Sequence, residues 1–138
     1  AGNGAVSSPV EFKVDQEKPT GMVSDDTSDS IDALINWQNT DASISLTPSD
    51  TGGSEVDNAY LDVVAYGKTC TPSTLYSDPI TVSQHSTACW KVVDNAGNEA
   101  TGSVEIKVDK TEPVTIINSP DSGTWQKEDF SVSVSDSD

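Results

Sequence analysis

The chain has 138 residues, a formal charge of −16, and seven lysines but no arginine. That carboxylate excess repels phosphate backbones and anionic lipid headgroups, which excludes nucleic-acid binding and docking on an acidic membrane, and no apolar run reaches bilayer-spanning length. Ser and Thr supply about a quarter of the residues, helix formers are scarce and no 3.6-residue apolar period is sustained, so the expected class is all-β.

In chain order, Val10, Phe12 and Val14 alternate with Glu11 and Lys13, the pattern of a half-buried strand over 9–14. Asp15 to Pro19 then reads as a junction. Residues 20–36 are Asp/Ser-rich, with an apolar burst at Ile31, Leu34 and Ile35, and read as an irregular strand followed by a loop. Ala42, Ile44 and Leu46 alternate as the next strand, and Asp50 to Asp57 is a turn-rich loop. Leu61, Val63 and Ala65 form a further strand, and 67–78 hold a short edge strand at most. Ile80 and Val82 are another short strand. Ala88, Trp90 and Val92 form a strong one, with Trp90 as core anchor. Asp94 to Asn98 is a tight turn in which Gly97 supplies a positive φ. Val104, Ile106 and Val108 close the set, and Phe130, Val132 and Val134 begin another.

Two blocks recur. Ala-Gly-Asn, an alternating strand, an Asp and a Pro occur at 1–19 and again at 96–113, with the Asp–Pro junctions 94 residues apart. Trp37-Gln38-Asn39-Thr40-Asp41 resembles Trp125-Gln126-Lys127-Glu128-Asp129, and the alternating strands that follow match too, at an offset of 88. Read as an array, the chain divides into the last strand of one repeat (1–14), one complete domain (15–109) and the first strands of the next (110–138). On this reading it is cut from a longer polypeptide.

About seven short strands with regularly spaced turns read as an immunoglobulin-like sandwich. The Trp before the second strand, the Asp/Gly/Ser loop, Val-Asp-Asn-Ala-Gly-Asn at 93–98 and Val-Asp-Lys-Thr-Glu-Pro at 108–113 resemble bacterial immunoglobulin-like tandem repeats. Such repeats occur in large cell-surface adhesins, surface-layer proteins and other cell-wall proteins. The resemblance covers nearly the whole chain, and its departure is a cysteine pair, because most such repeats have none.

Cys70 and Cys89 lack metal-ligand spacing and form no Cys-x-x-Cys, which favours a disulfide and with it an oxidising, extracellular compartment. Strand directions in such a sandwich bring Asp15, Asp50, Asp57 and Asp94 to one pole, with Glu17 and Glu55 nearby. Ca²⁺ takes six to eight oxygen ligands from loops of this kind, and the resemblance implies Ca²⁺ at the junction between modules. A second junction offers Asp109, Glu112 and Asp138, incomplete for want of the remaining loops, and Asn3 is a remnant of an earlier turn.

Catalysis finds little support. His85 is the one histidine and is read as an exposed loop residue, while Trp37 and Trp125 serve as repeated structural posts. The expected function is therefore a non-enzymatic stalk or extender module at the cell surface, with its partners being neighbouring repeats and any host or surface glycans or proteins reached through other domains. The alternatives are a surface-layer or filament subunit that exchanges strands, and a carbohydrate-binding accessory module of a secreted enzyme. Tyr60, Tyr66 or Tyr76 on one outer face would support the last.

Overall fold

A computed structural model describes residues 2, 4, 8–26, 32–118, 123, 125 and 127–137. Asn3, Ile31 and Asp138, each given a role above, lie outside the described residues. The described residues contain no helix. Eight strands are formed among the described residues: β1 Thr20–Asp25, β2 Ala42–Ser49, β3 Val56–Ala65, β4 Ile80–Val82, β5 Ser86–Asp94, β6 Glu99–Ile106, β7 Val114–Asn118 and β8 Ser133–Ser137. They make two three-stranded antiparallel sheets, β1-β2-β4 and β3-β5-β6, packed as a sandwich, and a separate β7-β8 hairpin.

The period-2 pattern explains the packing. Ala42, Ile44 and Leu46 of β2 face Leu61 of β3, Ala88 and Val92 of β5, and Ile106 of β6 in one core, all buried. Trp90 joins that core from β5, as expected of the anchor. Its indole lies against two glycines, Gly21 on β1 and Gly102 on β6. A methyl built on Gly102 would sit 2.5 Å from Cζ2, and one on Gly21 2.7 Å from Cε3. The two glycines thus make the slot that admits the ring between the sheets.

Residues 20–25 are a regular strand paired along its length with β2, rather than the irregular one expected. Residues 33–36 make a short turn in which the Asp32 carboxylate accepts from Leu34 N and the Asp25 carboxylate from Ala33 N. The connection after β3 folds back on that strand. Leu61 N donates to Thr74 O, Tyr76 N donates to Ala59 O, and Tyr60 bridges Leu75. Two ties hold this strap. One is the Cys70–Cys89 disulfide across 19 residues. The other is the Asp62 carboxylate, which accepts from Thr74 N, Ser73 N and Ser73 Oγ and is held down to about 2 by hydrogen bonds from Thr74 first and then Ser73.

One strand expectation needs correction. Residues 9–14 form no strand; Val10, Phe12 and Val14 are 74–87% exposed, because no strand among the described residues lies alongside to complete their pairing. The hairpin β7-β8 is well registered, with Val114 opposite Ser137 and Asn118 opposite Ser133. Its register matches β1-β2, where Thr20 lies opposite Ser49. Val114 is 94 positions after Thr20, and Ser137 is 88 after Ser49.

Candidate metal centre

The end of the sandwich where β2 finishes, β3 starts and β5 finishes is the pole at which the N-terminal linker enters. Three carboxylates meet there, Asp15 from the linker, Asp50 just beyond β2 and Asp94 at the end of β5, each offering an oxygen within 4.8 Å of the others'. Each is oriented by backbone N–H donors. Asp15 accepts from Glu17 N at 2.9 Å and Ser54 N at 3.1 Å. Asp50 accepts from Gly52 N at 3.1 Å. Asp94, 2% exposed, accepts from Ala96 N, Asn98 N and Asn98 Nδ2 at 2.8–2.9 Å.

These bonds set the charge of the site. Hydrogen bonds from Ser54 and then Glu17 hold the Asp15 carboxyl below its ordinary range. Burial pushes Asp94 up, and the neighbouring Asp15 charge adds to that, but the donors on Asn98 and Ala96 outweigh both and leave it low. Both groups are therefore ionised at neutral pH although they face one another.

The surrounding loops are cross-braced. Asn98 Nδ2 reaches Asp15 O at 3.3 Å, and Asn95 Nδ2 donates to Ser54 O at 2.8 Å. Glu55 takes a left-handed φ of 65°, so that its carbonyl meets Asn95 N. Gly52 passes directly beneath the Asp15 carboxylate, where any Cβ would overlap it. Three carboxylate oxygens spaced like these could hold a metal ion between them.

The other residues expected at the site are placed differently. Glu17 is exposed at the rim, with Thr51 Oγ1 donating to it at 3.4 Å. Asp57 is apart from the cluster. The register of β3 slips between Val56 and Asn58, and this bulge leaves Asp57 exposed and bonded to Asn58 Nδ2. Asp109 lies at the opposite end, where its carboxylate accepts from Thr111 N at 2.9 Å, the same turn that Asp15 makes with Glu17.

That opposite end holds an arrangement the sequence did not disclose. His85 is half-buried rather than a free loop residue. It stacks on Tyr66 at 3.9 Å, meets Trp37 edge-on at 4.7 Å and bonds Glu105 through Nε2 at 2.8 Å. Trp37 is 54% exposed, and a cleft runs from it past His85 to Lys110. The three tyrosines have different neighbours: Tyr66 stacks on His85, Tyr60 lies under Lys91 Nζ at 4.8 Å, and Tyr76 packs on the core.

No described helix is long and apolar enough to cross a membrane, and a disulfide in so small a domain is consistent with a location outside the cytoplasm. Comparison with protein-family models, curated proteins and solved structures finds no match.

Proposed function

We propose that this chain is an immunoglobulin-like module of a tandem-repeat, extracellular surface protein, and that Ca²⁺ at the Asp15–Asp50–Asp94 pole fixes the linker to the module it enters. The observation that carries this reading is the origin of the three carboxylates. Two belong to strand ends of the sandwich and the third to the linker that precedes it. A cation shared by all three would remove their mutual repulsion and anchor the linker, turning a flexible joint into a stiff one. The repeat itself is supported by the two offsets, which carry the β1-β2 register onto β7-β8. The module would act as reach or scaffold, with neighbouring repeats as its direct partners.

The test is thermal unfolding in excess EDTA and then in millimolar Ca²⁺ or Mg²⁺. At a free concentration about a hundredfold above the dissociation constant, a single site adds about 2.7 kcal/mol, a readily measured rise. That rise should be Ca²⁺-selective and absent in Asp15→Asn and Asp94→Asn. It should also be absent in Gly52→Ala, which retains all three carboxylates but displaces Asp15. Identical melts with and without Ca²⁺ would sink the cation role.

A further inference from the structure

Trp37 is 54% exposed and forms one wall of a cleft of about 470 Å³. Ligand clefts commonly measure about 300–1,000 Å³ and combine an aromatic surface with a few fixed polar groups. This one has both. Beside the indole stands His85, held by three contacts: Tyr66 stacks on it at 3.9 Å, Trp37 meets it edge-on at 4.7 Å, and Glu105 bonds Nε2 at 2.8 Å. A carboxylate only accepts, so Nε2 carries the proton and Nδ1 of the neutral ring is an acceptor. Ser83 and Gln84 add groups that both donate and accept, and Asp109 adds a carboxylate. These too are fixed. Thr111 N donates to Asp109 at 2.9 Å, and Ser86 Oγ holds the β4-β5 turn through Gln84 O at 2.8 Å.

Charge and polarity narrow the ligand. Asp109 lines the cleft, Glu105 stands behind His85, and the lining Lys110 is already paired with Asp41. An anion is therefore repelled. A wholly apolar ligand would strip water from Gln84 and Asp109 and leave them unpaired, which is costly. A saccharide meets both demands. One face of its ring is C–H and lies on an indole, and its hydroxyls both donate and accept around the rim. We propose that this cleft binds an uncharged saccharide, with Trp37 as the stacking platform and Gln84, His85 and Asp109 as the groups that orient its hydroxyls. All the lining residues fall within 37–111, in the sandwich and the turn that closes it. The inference needs neither the tandem repeat nor the cation, and it gives the module a glycan contact of its own rather than one made through other domains.

A proton–nitrogen NMR titration of the full chain in EDTA tests it. The neutral probes are lactose, cellobiose and N,N′-diacetylchitobiose, and glucuronate is the charged one. One aromatic platform and a few hydroxyl contacts set a dissociation constant of about 1 mM, so each probe is carried to about 30 mM. At least one neutral probe should shift the Trp37 indole N–H and the amides of 83–85 and 108–111, and the shift should saturate. The indole of Trp125, fully exposed and outside the cleft, should not move, and glucuronate should have no effect. Trp37→Ala should abolish binding. Gln84→Ala, at an exposed turn position, should keep the parent's melting temperature and weaken binding about five- to tenfold, which decides the matter if Trp37→Ala fails to fold. No saturable shift with any neutral probe would overturn the proposal. So would equal movement of Trp125, binding of glucuronate as tight as that of the neutral sugars, or unchanged binding in a folded Trp37→Ala.

Discussion

Replacing Gly102 by alanine probes how the two sheets are held apart. The added methyl would lie 2.5–2.8 Å from Cζ2, Cε2 and Nε1 of Trp90, about 1 Å inside ordinary contact. The indole has little room to retreat, because the backbone of Gly21 lies close on its other edge, where a built methyl would come within 2.7–3.0 Å of Cε3, Cζ3 and Cδ2. Overpacking of this kind costs about 2 kcal/mol, or roughly 10 °C in melting temperature for a domain of this size. In a Trp90→Leu background the obstruction is gone. Alanine should then gain about 0.5–1 kcal/mol over glycine through the lower entropy of its unfolded chain. The coupling between the two sites is therefore about 3 kcal/mol, measurable by urea unfolding of the four proteins followed by far-ultraviolet circular dichroism, with the disulfide intact. Equal costs of Gly102→Ala in both backgrounds would refute the argument that the glycine exists to admit the ring.

Two further outcomes follow from the strap over β3. Removing the cross-link with Cys70→Ala and Cys89→Ala should lower stability by about 3 kcal/mol for a loop closed across 19 residues, read from the urea midpoint. The Asp62 carboxyl is depressed in the folded protein, so its stabilisation is complete above the unfolded value of 3.8 and is lost as pH falls towards about 2. Because the group is partly exposed, solvent screening reduces the effect to about 1 kcal/mol. Melting temperatures between pH 5 and 2 should fall less steeply in Asp62→Asn, and an unchanged slope would contradict the role given to Ser73 and Thr74.

Much of the sandwich could be read from alternation alone. β2 buries Ala42, Ile44 and Leu46 at every second residue, β3 does so at Ala59 and Leu61 and β5 at Ala88 and Val92, and Trp90 stood out as the largest side chain on such a face. Counting strand directions placed Asp15, Asp50 and Asp94 at one pole, and there they meet. Asp57 escaped the same counting because a bulge adds a residue without altering the apolar pattern. Residues 10–14 show that alternation reports a strand's faces but not whether a pairing partner is available. His85 was misjudged for a different reason. Tyr66 and Trp37 lie far from it in sequence, so no local pattern marks the stack.

The strap also bears on solubility. A sheet edge exposes a row of backbone donors and acceptors that can recruit a strand from any neighbouring chain. Residues 74–76 occupy that row on β3 with Leu61 N→Thr74 O and Tyr76 N→Ala59 O. The segment is too short to stay there unaided, and the disulfide and the Asp62 carboxylate keep it in place. Reduction would therefore uncover an aggregation-competent edge before the core itself came apart. In the tandem array proposed above, closing that edge would keep adjacent copies from fusing sheet to sheet.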